Sequence, residues 1–96
     1  MSEYRVQVSV EVEGFLDLLD VKSRRIVRSN LGKLGVDPYP GGGVGDKERL
    51  VVEGELVYRL HVGRMYTAFY VVLEGEKVVR VFELLPSDKA HKKYGY

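Results

Sequence analysis

The chain opens on period-two alternation. In YRVQVSV, residues 4–10, Val6, Val8 and Val10 share one face, the pattern of a half-buried strand. The period then lengthens. Phe15, Leu18 and Leu19 stand at i, i+3 and i+4, which predicts a short helix over roughly 12–19 with that stripe on a core. Val27, Leu31 and Leu34 recur at i, i+4 and i+7 and predict a second helix over roughly 21–34. Asp20 or Ser23 can cap its start, and Gly35 followed by Pro38 supplies its stop. Two helices joined this closely form an αα-hairpin.

Residues 36–48, VDPYPGGGVGDKE, read as one long loop, because two prolines and the glycines between 41 and 45 leave no room for a regular element. Beyond it, LVVE and LVYRLHV are separated by Gly54-Glu55, MYTAFYVVL follows a turn at Gly63-Arg64, and KVVRVFELL follows Glu74-Gly75-Glu76. Breaks of this kind between β-branched and aromatic runs are hairpin signals, since glycine supplies the positive φ that tight turns require. The predicted order is β-α-α-β-β-β-β. This is an α+β fold in which an antiparallel meander packs against an N-terminal αα-hairpin. Pro86 ends the last strand, and a short basic tail follows.

Composition narrows the class. A chain of 96 residues accommodates one domain, 1–96, with one modest core. With 45% hydrophobic and 30% charged residues the composition suggests neither disorder nor a membrane protein. No apolar run approaches the roughly 20 residues that span a bilayer, and the N-terminus lacks the pattern of a signal peptide. The absence of cysteine excludes a disulfide framework, a thiolate metal site and a thiolate nucleophile. The expectation is a cytoplasmic protein with no membrane partner. Scarce side-chain amides (Gln7 and Asn30 only), no cysteine and abundant charge resemble thermophile usage. A melting temperature in the mesophilic range would remove that inference.

The net charge of +1 conceals an uneven distribution. Residues 1–20 carry Glu3, Glu11, Glu13, Asp17 and Asp20 against Arg5 alone, whereas every charge from Lys22 to Lys33 is positive. Lys89, Lys92 and Lys93 add a basic end. Such local basic surfaces can meet phosphates, or serve only as solvated faces.

Several chemistries are excluded. GDKE follows the glycines where a phosphate-binding loop needs Gly-Lys-Ser/Thr opening a helix. There is no Ser–His–Asp arrangement, the two histidines lack zinc-site spacing, and the carboxylates are scattered, so no metal or cofactor is expected. In YRLHV, alternation puts Arg59 and His61 on the sheet face opposite Tyr58, Leu60 and Val62. If the apolar face packs on the helices, this pair stands together on the open face. Imidazole titrates near neutral pH and guanidinium matches phosphate, so the pair suits a base and a phosphate clamp. Equally, two solvated residues on a half-exposed sheet would read the same way. A second group, Lys89, His91, Lys92, Lys93 and Tyr94, lies in the tail.

Taken in order, these pieces resemble the RelE/ParE toxin superfamily, and its archaeal RelE-like branch in particular. The resemblance runs from the first strand to the tail. It rests on KLGVDPY at the end of the second helix, on the strand and turn YRLHVG, on the tyrosine-rich MYTAFYVV, and on VVRVFELL with its basic sequel and tyrosine. It implies a type II toxin that enters the ribosomal A site and cuts mRNA without metal, the 2′-hydroxyl attacking the adjacent phosphorus. Its implied partners are a cognate small antitoxin, the ribosome and mRNA, with no small-molecule cofactor. Carried over by position, His61 is the general base and Arg59 the phosphate stabiliser. Lys89 matches the basic residue after the last strand, with His91 as alternative proton donor. Tyr94, and less closely Tyr96, matches the tyrosine that stacks on substrate. Thr67 stands where the family often has an arginine, and Arg64 is the residue placed to reach the same region. Two other functions share the fold: a ParE-like inhibitor of DNA gyrase, and a catalytically degenerate homologue that acts only as a binding module.

Overall fold

The structure of the protein, a computed structural model, describes residues 3–41 and 46–94, the side chains of Asp46 and Tyr94 excepted. Strand β1, Arg5–Val8, stops where Ser9 takes extended backbone and its hydroxyl accepts the Val12 amide at 3.2 Å. That cap starts helix α1, Val10–Asp17, two residues earlier than the apolar spacing suggests. Val10 is consequently a helix residue, 85% exposed, and not the third member of the strand face. The buried residues of α1 are Val12 and Leu16, while Leu18 lies past its end and is exposed. Phe15 and Leu19 of the predicted stripe pack at the margin of the core.

Helix α2, Val21–Gly32, is capped by the Asp20 carboxylate, which accepts the Ser23 amide at 3.3 Å. It buries Val27 and Leu31 as predicted, and Leu34 follows in a 3₁₀ turn, Lys33–Gly35, that closes the helix. Arg28 reaches Glu13 of α1 at 2.8 Å and ties the hairpin on its solvent side.

Four strands follow: β2 (Asp46–Val52), β3 (Glu55–Val62), β4 (Tyr66–Leu73) and β5 (Val78–Pro86). The sheet order is β1-β5-β4-β3-β2. The antiparallel meander is as predicted, but β1 joins it parallel to β5, so the sheet is mixed. The helical hairpin carries the chain from one edge of the sheet to the other, and three reversals bring β5 back beside β1.

The predicted loop is shorter than its glycines suggested. Strand β2 already begins at Asp46 and pairs with His61; the predicted loop residues 42–45 lie outside the described residues. Its β2–β3 turn is Glu53–Gly54, not Gly54–Glu55: both residues have positive φ, 52° and 81°, and Val52 faces Glu55 across the pair. Those are the dihedral signs of a two-residue turn matched to strand twist. A bulge between Phe69 and Tyr70 leaves Phe82 of β5 without an opposite number.

The hairpin covers one sheet face, where Val12, Leu16, Val27, Leu31 and Leu34 meet Tyr58, Leu60, Val62, Ala68, Tyr70 and Val81. A fully buried leucine such as Leu16 contributes about 1.5–3 kcal/mol. The other face is not bare. Leu50, Val57 and Phe69 form a small second core there, roofed by Ala90 from a third helix, α3, Ser87–Tyr94. The expected trailing tail is therefore a docked helix. Its sequence, SDKAHKKY, has a single aliphatic residue and no apolar period to announce it. Tertiary contact supplies what periodicity does not: Ala90 is 3% exposed, and Lys93 pairs with Glu83 of β5 at 2.6 Å.

Candidate active site

Strand β3 sets the site. Alternation places Arg59 and His61 on the face of the second core, as expected, but not in the open: Arg59 is only 8% exposed. The register explains this. Glu48 of β2 lies opposite Arg59 on one side and Phe69 of β4 on the other, while Thr67 lies opposite His61. The Arg59 guanidinium meets the Glu48 carboxylate at 2.6 Å through Nη2. The second carboxylate oxygen of Glu48 stands 3.8 Å from His61 Nε2, beyond hydrogen-bond length, so the ring nitrogen is paired with it only when charged. On its other side, His61 Nδ1 is 3.4 Å from the Thr67 hydroxyl, which is 3.1 Å from the hydroxyl of Ser87 at the start of α3.

The result is a chain of polar contacts, Arg59–Glu48–His61–Thr67–Ser87, across three strands and a helix start. One flank of the imidazole is oriented by a hydroxyl, and the other faces a carboxylate across a gap. His61 is partly exposed, with 27% of its side chain accessible, and Glu48 is about half exposed at 47%. A ligand therefore reaches the imidazole and the carboxylate more readily than the guanidinium.

The remaining sequence-derived candidates sit around this cluster. Arg64 is exposed in the turn between β3 and β4. The Ser87 amide donates to the Met65 carbonyl at 2.9 Å, which pins the start of α3 to that turn. Arg64, Lys89 and His61 are thus gathered at one end of the sheet. Lys89 and His91 are exposed on α3, and among the described residues neither they nor Arg64 make a side-chain hydrogen bond or ion pair. Tyr94 ends α3 by its backbone; its side chain, like Tyr96, lies outside the described residues. Thr67 is 2% exposed and acts as a hydrogen-bonding link, so this position offers no cation to a phosphate.

Glu48 and Ser87 were not singled out from the sequence. A signal for Glu48 was nonetheless present: counting outward from a two-residue turn at Glu53–Gly54 sets Glu48 against Arg59. Ser87 had no comparable signal. Among the described residues no group of histidines and carboxylates is placed to hold a metal ion, and no helix is long and apolar enough to cross a membrane.

No known protein-family model matches the sequence, and no curated protein does. Solved structures do. The archaeal RelE–RelB complex from Pyrococcus horikoshii OT3 contains a chain 27% identical, with a TM-score of 0.74, over 88% of this chain and 96% of that one. The E. coli toxin RelE, solved in the free state as a double arginine-to-alanine mutant, is 15% identical with a TM-score of 0.56. That match covers 99% of this chain and 93% of that one, and shows the shared fold. With its helical hairpin, its meander and a match spanning nearly all of both chains, the protein is a member of the RelE-like toxin superfamily.

Proposed function

We propose that the chain is the toxin of a type II toxin–antitoxin pair, a cytoplasmic endoribonuclease that cuts mRNA in the ribosomal A site. The observation that carries this reading is the side-by-side placement of Arg59 and His61 on β3, with Glu48 between them and the cations of α3 and the β3–β4 turn close by. The chemistry needs a base, a phosphate clamp, a proton donor and little else. His61 takes the proton from the 2′-hydroxyl as its oxygen bonds to the adjacent phosphorus. Arg59, with Arg64, stabilises the phosphate oxygens. Lys89, or His91, protonates the 5′-oxygen as the P–O bond breaks, leaving a cyclic phosphate and a free 5′-hydroxyl. Tyr94 stacks on the splayed base. Glu48 is a positioning residue, holding the Arg59 fork and facing the imidazole. The partner is a small antitoxin, as RelB is for the archaeal relative.

The test is inducible expression of the wild type, Arg59→Ala and His61→Ala, with 5′ ends of cellular mRNA mapped. Codon-phased cuts are expected from the wild type, falling by about 10²–10⁴ in the variants. Growth arrest and cutting that persist in both variants would overturn the assignment.

One observation favours a second reading. Arg59 is nearly buried against a carboxylate and Thr67 replaces the usual cation, which suits a protein that binds without cutting. It would then poison DNA gyrase or serve only as a binding module. Inhibition of supercoiling by purified gyrase, with cellular mRNA intact, would select the gyrase poison. Intact mRNA and unaffected gyrase would leave the binding module.

A further inference from the structure

The segment joining the helical hairpin to β2 is built more firmly than a connection requires. In Asp37-Pro38-Tyr39-Pro40, successive residues are held by buried or fixed partners. The Lys47 ammonium, on a side chain 1% exposed, donates to the Asp37 carbonyl at 2.7 Å and lies 3.4 Å from its carboxylate. Tyr70, with no exposure, donates to the Pro38 carbonyl at 2.6 Å. The Tyr39 hydroxyl donates to Glu74, and its ring makes edge contacts with Tyr4 and Tyr58 at 6.4 and 5.8 Å. Yet Tyr39 remains 36% exposed. With Pro40, Tyr58 and Arg49 it lines a cleft of about 230 Å³. Arg49 lies opposite Tyr58 in register, so the cleft is on the helix side of the sheet, away from Arg59 and His61. Arg49 is exposed and makes no hydrogen bond or ion pair among the described residues.

We propose that this cleft is a second RNA contact that takes one unstacked nucleotide, its base on the Tyr39 ring and its phosphate on Arg49. Base-on-tyrosine stacking tolerates any base, because each has a π-face. A ring already immobilised by a hydrogen bond and two neighbours has little rotamer freedom left to lose on binding. Guanidinium offers phosphate a bidentate fork. Among the described residues no carboxylate lines the cleft, and Glu74 behind Tyr39 is already engaged by two phenols and by Lys77 at 2.5 Å. An aromatic surface that carries, among the described residues, one uncommitted cation and no acid suits a nucleotide better than a peptide, whose charged side chains find a single complement here. The contact goes beyond the catalytic reading, since neither Arg59 nor His61 takes part.

The experiment titrates the full chain with AMP and with adenosine, following backbone amide shifts by NMR. AMP is expected to shift Tyr39, Gly41, Arg49 and Tyr58, and to bind about tenfold more tightly than adenosine, which lacks the phosphate. Arg49→Gln, an exposed change that leaves the fold alone, should bring AMP down to the adenosine level. Tyr39→Leu should weaken both ligands about fivefold or more, and Tyr39→Phe should retain both. The AMP-induced shifts of Tyr39 and Arg49 should persist in His61→Ala, so a chain that cuts nothing but binds AMP here supports the contact while refuting the nuclease. Shifts confined to Arg59, His61, Thr67 and α3, or AMP affinity unmoved by Arg49→Gln, would overturn it. So would a cleft that answers only to the antitoxin's peptide and never to AMP.

Discussion

Changing Glu48 to glutamine removes a charge and keeps an acceptor of nearly the same shape, so its cost isolates the ionic part of the contact with Arg59. The two side chains lie in different surroundings, 10% exposed for arginine and 47% for glutamate. A fully exposed pair contributes about 0.2–1 kcal/mol. Removing one partner of a fully buried pair costs about 3–5 kcal/mol, because the other charge stays behind without it. With one partner buried and the other half in water, Glu48→Gln should cost about 1–2 kcal/mol, between those limits. In urea unfolding this moves the midpoint down by roughly 1 M at unchanged slope, and it lowers Tm by about 5–10 °C. The deficit should survive 1 M NaCl, where screening acts over only about 3 Å and mainly on exposed charges. A midpoint unmoved by the substitution, or a deficit that vanishes in high salt, would refute the reasoning. Either result would mean that Glu48 behaves as a surface charge and that other contacts sustain the burial of Arg59. If Glu48 also positions the site, the variant's cleavage on translating ribosomes should fall in kcat with KM nearly unchanged.

Three further outcomes are expected. Tyr70→Phe removes the hydroxyl held at 2.6 Å by the Pro38 carbonyl and should cost about 1–2 kcal/mol, with faster amide hydrogen exchange localised to residues 37–41; exchange that accelerates evenly across the chain would contradict it. Ala90→Asp sets a carboxylate against Leu50, Val57 and Phe69 and should undock α3, costing about 1–3 kcal/mol and reducing far-ultraviolet helical signal; an unchanged spectrum would show that α3 holds without Ala90. Hydrogen bonds from Lys77, Tyr39 and Tyr4 lower the Glu74 carboxyl from 4.5 to about 2. The stability this provides is complete above pH 4.5 and is lost as pH falls through about 2. In Glu74→Gln, acid unfolding over that window should therefore be shallower than in the wild type, and parallel curves would rule out the linkage.

Much of the fold was legible because it is written in local patterns. Asp20 at a helix start, Val27 and Leu31 one turn apart, and Gly54 and Gly63 at two hairpin turns each act over a few residues, and each does in the structure what its type dictates; at the third turn Lys77, not Gly75, takes the positive φ. Leu18 misled because its spacing fits a helix as well as Leu16 does; the Ser9 cap, which rotates α1 by setting its first residue, decided which of them is buried. Lys47 misled for the opposite reason. A charged residue after glycines signals a loop, but here its ammonium finds a carbonyl and a carboxylate inside the fold, and so β2 starts sooner.

By itself the sequence determined the α+β class, the helical hairpin, the meander, and the sharing of one sheet face by Arg59 and His61, because periodicity and turn chemistry are short-range properties of the chain. Only the tertiary structure decided that β1 runs parallel to β5, that SDKAHKKY docks as a helix, and that Glu48, Thr67 and Ser87 close around the pair. These depend on strand register and on contacts between residues distant in the chain. Register links Glu48 to Arg59 across eleven positions, and a hydroxyl pair links Thr67 to Ser87 across twenty. No local pattern encodes such pairs, since their energy exists only once the strands and α3 have met.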